Sequence, residues 1–560
     1  MNIYKGQQWL LVLAASALFV AWLLPNHYSP WATAYQEFAA FFSGLLLITA
    51  MLLAGPVKVS PALLVFFLLP VIPLLQLGFG LIYFAGDAWI TSLYLLGFAL
   101  MLQVGYHLAA RPVSRDFFVR LLAGLFILAA VLSVWIALRQ WLLLPGSIWT
   151  ADLPPGARPF ANMGQPNNLA TLLCMGLAGV LYVYEKHLLG SVAAGLLACF
   201  LLVGVALTQS RAPWPTAIAV VAFWAVKANV YTQRLTLRGL LGWLGVYACC
   251  FLVLTQLAEW LLLSDVDVGR SGSVSERWSI WSQLWQDVWR GPWWGYGWNQ
   301  VAVAQMQGAL HFPAPSISLD GHNLLLDLMV WNGPLLGGLI FFGVVVWLAG
   351  VGARVRSAES LFALLAAGFI LGHSMVEFPF ESAFFLFPLG LLLGVAAAEG
   401  PQFAVVMPRW LMGVVLVMCV GLFGWFWREY RIVEEDHRLL RLELARVGTI
   451  KAAQPAPDVI LLSQLREFIR FARTPPTSGI SAFDLDRMGK VVYRYPSISG
   501  LLRYVVALGL NGQPAAAREQ LMLFRHLYGY GQRRHGYAMF ELQEMQKQYP
   551  KLFEQVGDET

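Results

Sequence analysis

Long apolar runs separated by short polar loops fill the first three quarters of the chain. About thirteen of them approach or exceed the ~20 residues that cross a bilayer as an α-helix. They lie at roughly 8–24, 35–54, 61–83, 88–108, 117–141, 167–184, 188–207, 212–228, 239–263, 323–350, 359–378, 382–398 and 410–427. Runs this long, without the short alternating strands of a barrel, predict an all-α polytopic membrane protein. Pro70 and Pro73 inside 61–83 predict a kink there. The first run follows Lys5 and has no small-residue cleavage pattern after it, so it reads as a retained span and not as a signal peptide.

Composition agrees with this pattern and adds a second domain. The 560 residues are 58% hydrophobic and only 12% charged, against about 25% charged in soluble domains. The charges are unevenly spread: residues 1–427 hold 18 Lys+Arg and 16 Asp+Glu, while 428–560 hold 19 and 15 in less than a third of the length. The chain therefore divides into a transmembrane domain, 1–427, and a water-soluble tail, 428–560. In the tail, Leu501–Leu510, the turn Asn511-Gly512-Gln513-Pro514 and Ala515–Tyr528 predict an antiparallel helix pair like one tetratricopeptide unit, with no clear array. Residues 452–458 and 474–476 read as loops. Cys174, Cys199, Cys249, Cys250 and Cys419 all fall in apolar runs and form no C-x-x-C pair, so they read as small buried residues. The net charge of +6 is modest and argues against a nucleic-acid partner.

Loop charge sets the orientation. Alternate loops carry Lys58; Arg111 and Arg115; Lys186; Lys227, Arg234 and Arg238; Arg354 and Arg356; and Arg409. By the positive-inside rule these loops and the N-terminus are cytoplasmic. The other loops and the tail are then external, which in a bacterium means periplasmic. Arg158, Arg211 and the segment 264–322 fall on that outer side, where topology does not account for their arginines.

The external segment 264–322 has its own organisation. It contains Arg270, Arg277, Arg290 and seven tryptophans, Trp278, Trp281, Trp285, Trp289, Trp293, Trp294 and Trp298. Ser273-x-x-Glu276 fits a capping box. After it, Trp278, Trp281, Trp285, Val288 and Trp289 fall at helical spacing on one face, with Arg277, Gln283, Gln286 and Asp287 elsewhere. Such a face suits a helix lying in the headgroup layer, with Arg277 reaching a phosphate or simply solvated. The glycine-aromatic run Gly291–Trp298 is either a sugar platform or an interfacial anchor.

Further polar residues stand at the outer ends of spans. In Asn162-Met163-Gly164-Gln165-Pro166-Asn167-Asn168, Gln165, Asn167 and Asn168 either cap the next helix or face a sugar or phosphate. Arg211, with no acid nearby in sequence, is either a snorkelling side chain or the partner of an anion. His322 at a span edge is an interfacial hydrogen-bonder or a catalytic base. Asn323 and Asp327 can share a helix face, whereas Asp327, five residues from His322, is a poor helical partner for the ring. His373 and Glu377 are spaced for an ion pair that either locks the fold or orients substrate.

Taken together these motifs resemble the O-antigen ligase (Wzy_C) superfamily, most closely the pilin-type O-oligosaccharyltransferases often called PglL. The resemblance rests on Gly164–Ala170, Thr208-Gln209-Ser210-Arg211, Arg277 followed by Trp281, the turn from Pro292 to Trp298, His322-Asn323, and His373-x-x-x-Glu377 followed by Phe385–Gly390, in family order. The chain departs from it at Asn168, often histidine, and at Trp331, often an acid. The resemblance implies en bloc transfer of a glycan from undecaprenyl diphosphate to a hydroxyl of a periplasmic acceptor protein such as pilin, at the bacterial inner membrane. Arg211 and Arg277 would neutralise the diphosphate and His322 would act as general base. Gln165, Asn167, Asn168, Asn323, His373 and Glu377 would bind glycan or support the site. No Asp-x-Asp pattern implies a divalent metal, and no cofactor is expected. The competing functions are ligation of O-antigen to the lipid A-core of lipopolysaccharide, a Wzy-type polymerase, and, from another class, a lipid-linked glycan transporter or flippase.

Overall fold

The computed structural model describes residues 2–154, 157–227, 234–261, 272–312, 317–399, 405–445, 455–529 and 534–556. Arg270, the Pro155-Gly156 pair, residues 452–454 and the side chains of Ser273 and Glu276, hence the expected capping box, lie outside the described residues. The fold is almost entirely helical. The one sheet among the described residues is a two-stranded antiparallel ribbon of Val57–Val59 and Val405–Met407.

Among the described residues ten helices are long and apolar enough to cross a membrane, and the chain is a multi-pass α-helical membrane protein. The other three segments read as spans form shorter helices: Pro213–Lys227 (15 residues), Ala358–His373 (16 residues) and Ala383–Ala397 (15 residues). At 1.5 Å per residue each rises about 22–24 Å, short of a ~30 Å hydrocarbon core. Prolines open many helices where a free N–H is not needed, at Pro61, Pro112, Pro166 and Pro514. The run 61–83 is broken as its prolines require, into Pro61–Leu64, a 3-10 turn over Val65–Leu68, and Val71–Gly78. The last span does not end near 427. It continues as one helix from Arg409 to Leu444.

The chain forms two compact units. The first comprises Met1–Pro70, Leu93–Val268 and Val344–Gly424. Its core is largely apolar, with Trp22, Phe126, Tyr182 and Phe362 in edge and tilted ring contacts. The buried Trp22 indole donates to the Phe384 carbonyl at 2.9 Å. Of the five cysteines only Cys174 is buried, and Cys249 is exposed. The expectation of five buried thiols therefore fails, because apolar residues of a membrane helix can face outward as readily as inward.

The second unit comprises Val71–Ser92, Gly269–Gly343 and Trp425–Thr560. Polar contacts that no sequence pattern announces tie its tail to the start of the helix Ala85–Ala109 and hold the tail together. Arg494 grips Asp87 with two bonds, at 3.0 and 3.1 Å, both side chains being buried. Glu429 accepts from the backbone N–H groups of Ile460, Leu461 and Leu462. Arg473 holds both Asp436 and Glu443. The expected helix pair of the tail is present as Ile498–Leu510 and Pro514–Tyr528, joined through Gly512 at φ +76°.

Within this unit the Leu324–Arg354 helix is broken at Gly333, whose φ of +76° precedes Pro334. A Cβ there would lie 1.8 Å from the Trp293 carbonyl oxygen, so the aromatic loop lies directly on the break. Freed backbone groups are satisfied locally: Tyr296 N–H donates to the Val330 carbonyl and Gly297 N–H to that of Trp331. Gln76 completes the set, donating to the Trp331 carbonyl and accepting from Trp298 N–H. Trp331 stacks on Trp298 with ring centres 5.1 Å apart.

Candidate functional site: two polar clusters

In the first unit, Pro166 begins the helix Pro166–Glu185 and Gln165 occupies its N-cap without a side-chain capping bond. The amides turn elsewhere. Asn167 Nδ2 donates to Glu377 Oε1 at 2.7 Å, and Gln165 Nε2 donates to Glu377 Oε2 at 3.3 Å. Asn167 Oδ1 accepts from the Ser210 hydroxyl at 2.6 Å. Three separate chain segments are thus tied at one buried point, and Glu377 is a brace. His373, four residues before it, shares a 2.7 Å hydrogen bond with Thr171. Asn168 is half-buried beside this network.

The network fixes Arg211. Ser210 is buried and held on both sides: its N–H donates to the Thr208 hydroxyl, and its own hydroxyl oxygen accepts from Ala212 N–H. Gln209 takes a left-handed conformation, φ +49°, which ends the Ser191–Thr208 helix and turns the chain. Arg211 follows immediately, exposed, with no carboxylate in ion-pair distance among the described residues. A cation anchored through its backbone and left without an internal counter-ion is suited to an external anion.

In the second unit the helix Gly272–Arg290 carries Arg277, which is half-buried. The burial pattern keeps the expected tryptophan face outward but moves Val288 off it. Ile280, Gln283, Leu284, Asp287 and Val288 form the inner face, while Trp278, Trp285 and Trp289 are exposed. Gln283 tolerates burial because it pairs reciprocally with Gln305, donating to its carbonyl and accepting from its Nε2. Asp287 has no such partner for Oδ2 among the described residues, and desolvation raises its pKa from 3.8 to about 7. The outward indoles form a ladder, Trp285 on Trp289 at 5.6 Å and Trp289 on Trp293 at 6.2 Å.

Trp281 lies between the two faces, and its Nε1–H donates to the Gly321 carbonyl at 2.8 Å. That bond belongs to a tightly held turn. Gly321 N–H donates to Asp327 Oδ1 at 2.6 Å, and His322 N–H to Asp320 Oδ1 at 3.2 Å. His322 itself is forced to φ +51°, a region that non-glycine residues seldom occupy. Its ring has Asp320 Oδ1 3.4 Å from Nδ1 and the Ser318 hydroxyl 3.4 Å from Nε2. Asn323 caps the following helix, its side-chain oxygen accepting from Leu325 and Leu326 N–H. Asp327, discounted as a ring partner by its spacing, holds the turn through the backbone. Asp320, two residues before the histidine, is the acid beside the ring. Its signal was present in sequence, since Asp-x-His permits an Asx turn.

The predicted residues therefore gather into two groups. Gln165, Asn167 and Glu377 meet around the residue that precedes Arg211, with His373 bound nearby to Thr171 of the same helix as Asn167. Arg277 shares its helix with Trp281, which binds the turn holding His322 and Asn323. The first group offers a cation for an anionic ligand. The second offers an imidazole with a carboxylate at one nitrogen, a geometry able to accept a proton at the other.

Two family models match the chain: "O-Antigen ligase" over residues 194–342, and "Virulence factor membrane-bound polymerase, C-terminal" over residues 361–543. The chain is 29% identical over 535 residues to a "General O-oligosaccharyltransferase" of Acinetobacter baylyi, covering 93% of this chain and 92% of that protein. It is 25% identical over 507 residues to a "ComP-specific O-oligosaccharyltransferase" of the same organism, covering 89% and 91%. The two models meet the chain on both clusters, and the relatives align along nearly its whole length: the chain is similar to the O-antigen ligase family, and the relatives it matches are O-oligosaccharyltransferases.

Proposed function

We propose that this protein transfers a glycan en bloc from undecaprenyl diphosphate to a serine or threonine hydroxyl of a periplasmic, pilin-like protein. The observation that carries the reading is the His322 turn. A histidine held at φ +51° by bonds from Asp320, Asp327 and Trp281 to its own and its neighbour's backbone is strain kept where chemistry needs a fixed side chain. In this mechanism Asp320 accepts from Nδ1–H and fixes the tautomer, leaving the Nε2 lone pair to take the proton of the acceptor hydroxyl. The hydroxyl oxygen attacks the anomeric carbon as the sugar–phosphate bond breaks, and undecaprenyl diphosphate leaves as an anion. Arg211 and Arg277 bind that diphosphate and stabilise its growing charge, with no metal required. Inversion at the sugar carbon follows from a single displacement.

The same proposal places the protein in the bacterial inner membrane with thirteen crossings, the N-terminus cytoplasmic and the tail, 428–560, periplasmic. The short helices 213–227, 358–373 and 383–397 count as crossings where bundle packing replaces lipid contact. The tail acts as a tetratricopeptide-like acceptor platform, and the outward tryptophans of 278–289 rest in the headgroup layer. The names of the relatives, general and ComP-specific O-oligosaccharyltransferase, favour a protein acceptor over lipopolysaccharide.

The test is an in-vitro assay with purified protein, lipid-linked glycan, and pilin or lipopolysaccharide core as acceptor. His322→Ala should abolish transfer without loss of folding, and Arg211→Ala and Arg277→Ala should each weaken donor use. Asp320→Asn should lower turnover and move the acidic limb of the pH profile. Normal product from His322→Ala refutes the base assignment, and absence of any covalent product from the wild type favours a transporter.

A further inference from the structure

Several of the loop cations assigned to the cytoplasmic set have partners within the fold. Arg115 and Lys186 converge on Glu359, at 3.6 and 2.7 Å. Arg234 lies over the Tyr184 ring at 4.0 Å and its backbone N–H donates to Glu185. Lys227 donates to the Ala353 carbonyl. Arg111 and Arg409 are the contrast. Both guanidinium groups crowd one point, the open face of Gly55: a Cβ there would lie 3.1 and 3.2 Å from the two Arg111 Nη atoms and 3.4 Å from Arg409 Nη2. Two like charges are therefore only a few ångströms apart, and neither has a carboxylate in ion-pair distance among the described residues. Partial burial, and then the Arg409 charge, hold the Arg111 guanidinium below its ordinary range.

The surrounding structure keeps the pair together. Arg111 Nη2 donates to the Pro56 carbonyl at 3.0 Å, just before the strand Val57–Val59. That strand pairs with Val405–Met407, which leads into Arg409, and sets Lys58 opposite Val406. Arg111 is the N-cap of the helix Pro112–Trp141, and Arg409 is the first residue of Arg409–Leu444, so two helix N-termini add partial positive charge at the same place. Beside the cations stand exposed apolar side chains, Leu53, Val405, Val406 and Trp410, of the kind that sit at a membrane–water boundary. Repelling cations fixed together cost energy unless an anion joins them, and paired guanidiniums match phosphate oxygens.

We propose that Arg111 and Arg409, with Lys58, form a phosphate-binding site occupied at the bilayer surface by the headgroup of an acidic phospholipid. The apolar rim selects a lipid over a soluble phosphate, since only a lipid brings acyl chains to cover it. This assignment is independent of the transferase reading and lies on the other set of loops.

Phosphatidylglycerol, phosphatidylcholine and inorganic phosphate would be titrated separately into full-length protein in a neutral detergent. Lipid retention is read by native mass spectrometry, and stabilisation by the melting midpoint. Arg409→Gln and the double variant Arg111→Gln/Arg409→Gln are compared with Arg354→Gln, which removes an exposed arginine of another loop in the same set. Phosphatidylglycerol should bind the wild type and Arg354→Gln alike. Affinity should fall roughly fivefold in Arg409→Gln and about 30-fold in the double variant, at ~1 kcal/mol per arginine. Phosphatidylcholine and inorganic phosphate should have little effect. Arg409 is exposed and makes no hydrogen bond among the described residues, so its single variant carries the test if the double one misfolds. Unchanged phosphatidylglycerol binding in Arg409→Gln, or equal stabilisation by phosphatidylcholine, overturns the site. Stabilisation by inorganic phosphate alone overturns the lipid assignment.

Discussion

Gly321→Ala is the sharpest test of the idea that the His322 turn is a fixed device. A methyl group at Gly321 would meet Asp327 Oδ1 at 2.6 Å and Leu284 Cδ1 at 2.9 Å, where an ordinary contact begins near 3.4 Å. The backbone or its neighbours must then move by about 0.5–0.8 Å, as those distances require. Neither neighbour yields easily, because Asp327 and Leu284 are both fully buried and Asp327 already accepts from Gly321 N–H. Overpacking of this kind costs about 1–3 kcal/mol. The larger effect falls on activity, because His322 is the next residue and a displacement near 1 Å costs about 100-fold in rate. Gly338→Ala is the control: it adds a methyl group in open space beyond the Gly333 break from Asp327, and Ala for Gly within a helix gains about 0.5–1 kcal/mol. Transfer from lipid-linked glycan, followed by intact mass of the acceptor, and the melting midpoint in detergent are measured on both variants. Gly321→Ala should lose turnover far beyond its loss of stability, and Gly338→Ala should lose neither. Wild-type turnover in Gly321→Ala would refute the claim that the turn positions the imidazole.

Asn167→Leu removes the 2.7 Å donor to Glu377 and the acceptor for Ser210. It should cost about 2–4 kcal/mol, read as a lowered melting midpoint, and should weaken donor use through displacement of Arg211. Asp287 titrates near 7 when folded and at its ordinary 3.8 when unfolded. The unfolded chain therefore releases its proton first, and stability declines as pH rises from about 4 to 7, by up to roughly 4 kcal/mol. Asp287→Asn should remove that slope, which melting at pH 5 and pH 8 would show. Arg494→Ala leaves buried Asp87 without its cation and should destabilise the second unit by about 3–5 kcal/mol, measurable as earlier proteolysis of the tail.

The sequence by itself determined the class of protein and pointed to the family it resembles. Apolar runs of bilayer length can only be helices, and the proline pair in 61–83 broke its run as expected. The ordered motifs around Gln165, Arg211, Arg277, His322 and Glu377 were enough to suggest the family. Periodicity put Val288 with Trp278, Trp285 and Trp289 on the helix 272–290, where the tryptophans turn outward and Val288 packs inward. Hydrophobicity alone could not tell the face packed in protein, with Ile280, Leu284 and even Asp287, from the face turned outward.

Tertiary structure alone decided which polar groups meet. Asn167, Ser210 and Glu377 lie far apart along the chain, and their hydrogen bonds depend on directions accurate to tenths of an ångström, which no pattern of residue types encodes. The same holds for Asp87 and Arg494, whose pairing joins the tail to a helix start some four hundred residues earlier. It holds too for His322, because its left-handed backbone arises only when Asp320, Asp327 and Trp281 close on one turn. Burial of apolar surface is non-directional and can be read from composition. Hydrogen bonds and strain are directional, and they exist only once the chain has folded.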